Sequence, residues 1–413
     1  MKKILALLVC VCFFTACQND DGEEIVTPPV PDNSITILTY LIADNNLDSY
    51  LKENIAFMYD GLAAMNKKAT LLVYWDGKSK MGDNNANHLI LEYKADGKGK
   101  INGKYVLPNT SSVNDILKEA KIVKEYPSQV STSKSVMTQV IGDMVSASTS
   151  TKFGLIFGSH GSSWLNSIVT SRALGYDGSH DNSINLDDIT EALETVGQKF
   201  EFILFDACYM GTTEVCYSFK DLANHLIVSA MEVPAYGFPY HCLMDDLYQG
   251  TVSGYQQVCK EFIDFYDAMC QTGESAWGTV ALIDSKEIQP LTDAIRQQVV
   301  EHKDSLADYK PTHLQNYGRN SGPYIAYDLG HFVKDLNEGT MPDAFNAQLK
   351  KTVIYKGCLT KANPSNYKVD ESNYSGLGIY IPVSARPKWN TYFKTLDWFT
   401  ASGWNEVTFS WEF

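Results

Sequence analysis

The sequence contains no apolar run long enough to cross a membrane, and it is poor in basic residues. Even the apolar run at residues 4–14 is shorter than the roughly 20 residues that a membrane-spanning helix needs. Lysine and arginine number 34 against 49 aspartates and glutamates, so the formal net charge is −15. A surface this acidic repels phosphate backbones, and we therefore expect no nucleic-acid partner. Cationic peptides would be attracted to the same surface.

Two common signatures of hydrolytic enzymes are also missing. The chain has no Gly-x-Ser-x-Gly sequence, which marks the serine nucleophile of many hydrolases. It also has no His-Glu-x-x-His sequence, which marks many zinc peptidases. If the protein is a hydrolase, its nucleophile has to come from another type of residue.

The first residues are typical of a targeting segment. Lys2 and Lys3 precede the apolar run, and Phe14-Thr-Ala-Cys17 places small residues before a cysteine. This pattern resembles a bacterial lipoprotein signal, in which cleavage after residue 16 leaves an acylated Cys17. An ordinary secretory signal with an incidental cysteine is the alternative.

Residues 17–34 are acidic and rich in proline, which is typical of an extended tether. The acidic residues directly after Cys17 resemble the signal that directs some lipoproteins of Gram-negative bacteria to the outer face of the outer membrane. We therefore expect a cell-envelope lipoprotein, held at the outer membrane by its lipid alone and exposed at the surface. A solvated spacer that faces the periplasm is the alternative.

Short apolar segments alternate with amphipathic ones over the middle of the chain. Unbroken apolar runs of this kind are typical of strands buried on both faces of a parallel sheet. The alternation predicts an α/β domain over residues 35–306, with a mostly parallel sheet of about six strands flanked by helices. The predicted strands cover residues 35–43, 69–75, 153–158, 200–206, 223–229 and 277–283.

The pattern loosens in the last quarter of the chain. Residues 307–413 combine two predicted helices, at 324–336 and 342–355, with one strand at 377–382. We expect a C-terminal α/β subdomain that packs on the preceding domain. Its many aromatic residues are expected to lie in a core.

Two of the predicted strands lead directly into reactive side chains. The strand at 153–158 is followed by Ser159, His160 and Gly161, and the strand at 200–206 is followed by Ala207 and Cys208. Sites in parallel sheets form at the carboxyl ends of the strands, so we expect the histidine and the cysteine to meet there. The simpler alternatives are a buried cysteine that acts as a small apolar residue and a histidine in a turn.

Two helices are expected to begin directly after predicted strands. Asn45 or Asn46 is suited to cap a helix that runs to about Met65. A second helix is expected to begin near Met210, and its free amide hydrogens would favour a thiolate at Cys208.

A histidine–cysteine pair would suit a cysteine peptidase, which needs a thiolate, an imidazole to protonate the leaving amine and donors for the oxyanion. The backbone N–H groups of Gly161 and Cys208 are candidate oxyanion donors. Asp206 would form a pocket wall beside the nucleophile, where it would favour a cationic side chain of the substrate.

Five segments, including both strand ends, resemble the clostripain family of cysteine peptidases in the caspase-like clan. They are Tyr40-Leu-Ile-Ala-Asp-Asn-Asn-Leu47, Ile156-Phe-Gly-Ser-His-Gly-Ser-Ser-Trp164, Phe205-Asp-Ala-Cys-Tyr-Met-Gly-Thr-Thr-Glu-Val215, Ser229-Ala-Met-Glu232 and Ser375-Gly-Leu-Gly-Ile-Tyr-Ile-Pro382. The resemblance implies a caspase-like sheet, a dyad of His160 and Cys208, and cleavage after Arg or Lys. Asp206 would then lie in the substrate pocket, and Glu232 is a second candidate substrate-binding residue.

Other properties of the family carry over less directly. Several members cut themselves between the histidine and the cysteine, and here the bond after Arg172 is the candidate. Residues 233–236 depart from the usual acidic loop, which leaves the choice between Arg and Lys open.

Some members need calcium, and oxygen ligands are available at Asp177, Asp181, Asp187 and Asp188. The glycine and glutamate of a calcium loop are missing at their spacing, so we expect a solvated turn and no metal or other cofactor.

The nine cysteines do not suggest a disulfide framework. Cys10 and Cys12 lie in the predicted signal, and Cys17 would carry the lipid. If Cys208 is a free thiol, five cysteines remain, and an odd number argues against complete pairing. Buried reduced thiols are therefore expected.

These features together predict a monomeric cysteine endopeptidase that acts on protein or peptide substrates. A binding protein on the same fold, either catalytically silent or locked as a zymogen, is the alternative. The intact histidine–cysteine pair argues against that alternative.

Overall fold

The computed structural model describes residues 32–78, 88–105, 113–166, 174–318 and 324–411, which belong to one compact unit. No helix in these ranges has the length and apolar character needed to cross a bilayer. The predicted signal segment, Cys17 and the tether up to residue 31 lie outside the described residues.

The described chain contains fifteen strands, of which the longest are strongly apolar. In chain order they are β1 (Asp32–Ala43), β2 (Lys68–Gly77), β3 (His88–Asp96), β4 (Lys100–Ile101), β5 (Lys104–Tyr105), β6 (Lys121–Glu125), β7 (Ser150–Gly158), β8 (Leu174–Asp177), β9 (Asn182–Ile184), β10 (Phe200–Asp206), β11 (Ala223–Val228), β12 (Thr279–Asp284), β13 (Tyr327–Asp328), β14 (Val353–Cys358) and β15 (Gly378–Ile379).

The same ranges contain thirteen α-helices. They are α1 (Asp48–Ala64), α2 (Val113–Glu119), α3 (Lys134–Ser146), α4 (Leu186–Val196), α5 (Thr213–Phe219), α6 (Tyr240–Leu247), α7 (Val252–Gln271), α8 (Ile288–Glu301), α9 (Lys303–Leu306), α10 (Leu329–Leu336), α11 (Asp343–Thr352), α12 (Pro387–Phe393) and α13 (Asp397–Ala401).

Eleven strands form one central sheet in the order β14-β12-β11-β10-β7-β1-β2-β3-β4-β5, with β6 paired to β3. Its middle strands β11, β10, β7, β1 and β2 pair in parallel. The predicted fold, a largely parallel sheet flanked by helices, is confirmed. The sheet exceeds the expected size because antiparallel strands extend both sides, among them β12, which was expected to continue the parallel order. Several added strands are short or rich in lysine, which hides them from an apolar pattern.

The sheet has a core on each face because neighbouring residues of a strand point to opposite faces. On β1, Leu38, Tyr40 and Ile42 belong to the core that includes α3 and α4. Ile37 and Leu41 belong to the core that includes α1, α6 and α7. The central strands are thus buried on both faces, as their unbroken apolar sequences predict.

The C-terminal segment contributes to the same unit. β14 pairs with β12 at the edge of the sheet, and the expected helix over residues 342–355 ends at Thr352. Val353-Ile-Tyr355 has the β-branched and aromatic side chains that favour a strand, which explains the difference. The expected helix over 324–336 likewise begins only at Leu329, after the short strand β13.

The aromatic residues near the C-terminus pack in the core, as expected. Trp398, Trp404 and Phe393 are almost fully buried. The ring of Phe393 lies 5.2 Å from that of Trp164, which follows the histidine-bearing strand. The C-terminal segment therefore buttresses the loop that carries His160.

Candidate active site

The parallel strands bring several loops to one edge of the sheet. Gly158, at the end of β7, lies beside Asp206 at the end of β10. The loops that follow β1, β7, β10 and β11 line a cleft of about 430 Å³. All four side chains that the sequence analysis singled out for catalysis and substrate binding line this cleft, namely His160, Cys208, Asp206 and Glu232.

Gly161 lies directly against the backbone of Cys208. A Cβ atom on Gly161 would lie 2.5 Å from the carbonyl oxygen of Cys208 and 2.9 Å from its nitrogen. Both distances are too short for a side chain, so the two loops can touch only because residue 161 is glycine. The contact brings the backbones of the two candidate oxyanion donors together.

His160 has a side-chain partner that the sequence analysis did not assign. Its Nε2 lies 2.8 Å from Oδ1 of Asn46, in the loop after β1. Because an amide oxygen can only accept, Nε2 carries the hydrogen of this bond. In the neutral ring, Nδ1 is then the basic nitrogen.

The expected asparagine cap of the first helix is wrong. α1 begins at Asp48 with Leu47 at its N-cap position, and no side chain caps it. Asn45 instead holds the loop. Its Oδ1 accepts from the N–H of Leu47 at 2.8 Å, and its Nδ2 donates to the carbonyl oxygen of Ile42 at 2.9 Å. These bonds fix the loop that presents Asn46 to the histidine.

Cys208 lies in a tight turn after β10. The helix expected from Met210 begins only at Thr213, so the cysteine does not directly precede its first turn. Tyr209 has a left-handed φ of 62°, which costs a residue other than glycine about 1 kcal/mol or more. The Sγ of Cys208 lies 3.8 Å from the carbonyl oxygen of Val233. The turn, and not a helix start, therefore sets the position of the thiol.

Asp206 lies at the floor of the cleft and is 6% exposed. Its Oδ2 accepts hydrogen bonds from the N–H of Phe238 at 3.1 Å and the hydroxyl of Tyr240 at 2.9 Å. Nδ2 of Asn54 lies 3.5 Å from the same oxygen. Burial raises the pKa of Asp206 to about 6, although the bonds from Phe238 and Tyr240 act in the opposite direction. The side chain is therefore charged at neutral pH and neutral in mild acid.

Glu232 forms part of the cleft wall, where two tyrosines hold its carboxylate. Oε1 accepts from the hydroxyl of Tyr209 at 3.2 Å, and Oε2 accepts from the hydroxyl of Tyr367 at 2.9 Å. Trp277 stacks on Tyr367 with ring centroids 4.3 Å apart. Its indole N–H donates to the backbone oxygen of Glu232 at 3.2 Å. The wall is thus assembled from the turn that carries Cys208, the loop after β11 and the C-terminal segment.

The charge of the cleft is negative. Asp206 and Glu232 line it, whereas no described lysine or arginine does. A cationic group of a substrate would therefore meet complementary charge there.

The remaining predicted sites are not brought together in the described structure. Arg172 lies outside the described residues. Among the described residues, no group of three or more His, Cys, Asp or Glu side chains is arranged to hold a metal ion. Asp177, one of the carboxylates considered for calcium, is bonded to Nδ1 of His180 at 2.9 Å. Six cysteines lie in the described ranges, and all are free thiols: Cys208, Cys216, Cys242, Cys259, Cys270 and Cys358.

Comparison with known families and structures identifies the chain as a cysteine peptidase. The sequence profile of the clostripain family matches residues 39–411, and the chain belongs to this family. No curated protein sequence matches the chain.

Two solved structures share the fold. One is an inactive zymogen C11 protease from Parabacteroides distasonis, 26% identical, with a TM-score of 0.71 over 90% of this chain and 99% of that one. The other is a secreted C11 cysteine protease from Bacteroides thetaiotaomicron in complex with an irreversible peptide inhibitor, 24% identical, with a TM-score of 0.69 over 91% of this chain and all of that one (100%).

Proposed function

We propose that this protein is a lipid-anchored cysteine endopeptidase that cleaves after basic residues, with His160 and Cys208 as its catalytic dyad. Family membership establishes the peptidase class. The observation that supports the finer assignment is the shared cleft, whose described lining residues include one histidine and one cysteine, His160 and Cys208, together with the carboxylates of Asp206 and Glu232. The dyad thus combines with a negatively charged pocket in one site.

In the proposed reaction, the thiolate of Cys208 attacks the scissile carbonyl carbon and forms a C–S bond. The N–H groups of Gly161 and Cys208 donate to the oxyanion that develops. His160, as imidazolium, gives its proton to the leaving amine as the C–N bond breaks. A water molecule then hydrolyses the thioester, with His160 accepting its proton.

The hydrogen bond between Asn46 and His160 supports a specific role for each ring nitrogen. With Nε2–H held by Asn46, Nδ1 is the nitrogen that exchanges a proton with the thiol and the leaving amine. Asn46 is therefore proposed as a positioning residue, because it acts through the histidine.

Replacing Asn46 by alanine is expected to lower kcat by about 10- to 100-fold with little change in KM, because the imidazole loses its orientation. Steady-state kinetics over a range of substrate concentrations separates these two parameters. Asn46→Asp keeps an acceptor oxygen at the same place and should recover most of the kcat. An equal loss in both variants, or a change in KM alone, would argue against the positioning role.

Peptide substrates that differ only at the residue before the scissile bond test the proposed specificity. Turnover is expected at Arg or Lys and not at Asn or Asp. The chain should be assayed as made and after limited treatment with trypsin, because cleavage after Arg172 is the proposed activation. If no peptide is cut under either condition, the assignment of a working enzyme fails and the binding-protein alternative is favoured.

The lipid anchor is proposed from the sequence alone. Cys17→Ser should move the protein from the membrane fraction to the soluble fraction, with the peptidase activity per molecule unchanged. A variant that still sediments with outer membranes would contradict anchoring through this cysteine.

A further inference from the structure

A second cleft, of about 350 Å³, lies between α10, α11, β14 and residues 372–375. Its lining includes three lysines from three elements, namely Lys334 on α10, Lys350 on α11 and Lys356 on β14. No aspartate or glutamate lines it in the described part of the chain. The catalytic cleft has the opposite composition, because two carboxylates and no described lysine or arginine line it. In a chain with a formal net charge of −15, the second cleft is a local region of positive charge, and we name it the basic cleft.

The lysines of the basic cleft are not neutralised by carboxylates. Among the described residues, Lys334 and Lys350 form no ion pair, and both are exposed. Nζ of Lys356 donates to the backbone carbonyl oxygen of Tyr374 and lies 5.5 Å from the centre of the Tyr374 ring. A carbonyl group and a ring face hold a cation in place without cancelling its charge. All three charges are therefore available to an anionic ligand.

Two carboxylates near the basic cleft are bonded elsewhere. Asp335 and Asp370 both interact electrostatically with His331, which lines the cleft. Asp335 pairs with Nε2 of His313 at 2.9 Å. Asp370 accepts from the N–H of Ser372 at 3.0 Å and from its hydroxyl at 2.7 Å. Neither carboxylate lines the cleft or pairs with one of its lysines.

The floor of the basic cleft is apolar. Leu349 and Tyr374 are buried there, and Val353 is half-buried. His331 adds a donor, because its Nδ1 accepts from the backbone N–H of Gln315 at 3.0 Å and Nε2 then carries the hydrogen of the neutral ring. Positive side chains over an apolar floor suit a ligand that combines carboxylates with an apolar side chain. An acidic peptide segment has both.

The basic cleft lies within reach of Cys208. Ser375 lines it, and three residues later the N–H of Gly378 donates to the carbonyl oxygen of Gly211 at 2.8 Å. Gly211 in turn follows Cys208 by three residues. Since an extended residue spans at most about 3.6 Å, the backbone of Ser375 lies no more than roughly 30 Å from that of Cys208. About ten extended residues cover this distance, so one protein substrate is long enough to occupy both clefts.

We propose that the basic cleft is an exosite, which holds an acidic segment of a protein substrate while another part of that substrate is cut in the catalytic cleft. The inference rests on the peptidase class of the chain and is independent of the residue that precedes the scissile bond. A membrane is a poorer ligand, because a bilayer is too broad to enter a concave site. A sulfated polysaccharide has the charge but no apolar side chain for the floor.

The first test measures binding and needs no turnover. A labelled peptide Glu-Glu-Phe-Glu-Glu is followed by fluorescence anisotropy at about 50 mM salt, where screening is weak. Wild type should bind it about tenfold or more tightly than Gln-Gln-Phe-Gln-Gln, and replacing all three lysines of the cleft by glutamine should remove this difference. Replacing the same three lysines by arginine keeps the charges and should keep most of the affinity.

The matched control removes three exposed lysines that do not line the basic cleft, in the variant Lys199→Gln/Lys303→Gln/Lys388→Gln. It changes the net charge equally and should alter the affinity by less than about twofold, because distant exposed charges are screened. Thermal unfolding of each variant reports on folding. The inference is wrong if wild type does not bind the acidic peptide, if the glutamine variant of the cleft binds it equally well, or if heparin binds there and the peptide does not.

Kinetics tests whether the bound segment belongs to a substrate. A cleavable peptide joined to the acidic segment by a flexible linker of about 20 residues should have a KM about tenfold lower than the peptide alone, with kcat unchanged. The glutamine variant of the cleft should lose this advantage and cut the short peptide at the wild-type rate. If the short peptide is cut but the linked one has no advantage, the cleft is not an exosite and the proposed function stands. If no peptide is cut, the proposed function fails, and the binding measurement alone decides whether the cleft holds acidic segments.

Discussion

If Cys208 is the nucleophile, Cys208→Ala is expected to lower the hydrolysis of Arg or Lys peptides by about 10⁴-fold or more, because the thiol that forms the acyl-enzyme is removed. His160→Ala should cause a loss of similar size. The double variant should lose little more than either single one, since the two residues act as a unit. Initial rates with fluorogenic peptides, measured at enzyme concentrations high enough to detect residual turnover, give these values.

A second cysteine provides the matched control. Cys242 is an exposed free thiol on α6 and does not line the cleft. Cys242→Ala should therefore retain wild-type rates and remain sensitive to thiol-directed inhibitors. If Cys208→Ala kept more than about a hundredth of the wild-type rate, a different nucleophile would have to be sought.

Asp206→Asn is expected to lower kcat/KM for basic peptides by about 100- to 1000-fold, because the pocket loses its buried charge while keeping its shape. The same residue predicts a pH dependence. Burial raises the pKa of Asp206 to about 6, so the carboxylate is charged above that pH and neutral below it. For the free enzyme, kcat/KM for a basic peptide should then fall about tenfold per pH unit below 6.

The variant Asp206→Asn distinguishes the titration of Asp206 from the titration of other groups in the site. Asp206→Asn should lose the acid limb of the pH profile, because asparagine does not titrate. Glu232→Gln is the matched control, since it removes the other carboxylate of the cleft and should leave the limb near pH 6 in place. If the acid limb persists unchanged in Asp206→Asn, a group other than Asp206 must be responsible for it.

The sequence was sufficient to predict that His160 and Cys208 line the same cleft. Each follows a strand without polar alternation, which predicts burial on both faces and a parallel sheet. The carboxyl ends of such strands share one edge, so the two side chains were expected in one cleft. Asn46 could have been found in the same way, because it follows a buried strand at that edge.

Other parts of the site depend on contacts that no local pattern contains. Asn45 and Asn46 are of a residue type that commonly caps helices. In the structure, however, the side chain of Asn45 donates to the carbonyl oxygen of Ile42, and the side chain of Asn46 accepts from His160. α5 begins only at Thr213 because a turn precedes it. In this turn Tyr209 has a left-handed φ, a backbone conformation that sequence propensities do not predict for tyrosine. The partner of Glu232, Tyr367, comes from a segment far along the chain. Such pairs become visible only when the tertiary fold is known.

The bond between Tyr367 and Glu232 bears on how the protein can be shortened or recombined. A fragment that stops after α9 would contain Cys208 and still lack Tyr367, one support of the cleft wall. It would also lack β14 at the end of the sheet. Because Phe393 packs on Trp164 beside the loop of His160, a minimal active fragment is expected to need the chain up to at least residue 393. Conversely, exchanging only residues 361–371, which include Tyr367, with those of a relative is expected to alter the support of Glu232, while the hydrogen bond from Gly378 to Gly211 beside Cys208 stays in place.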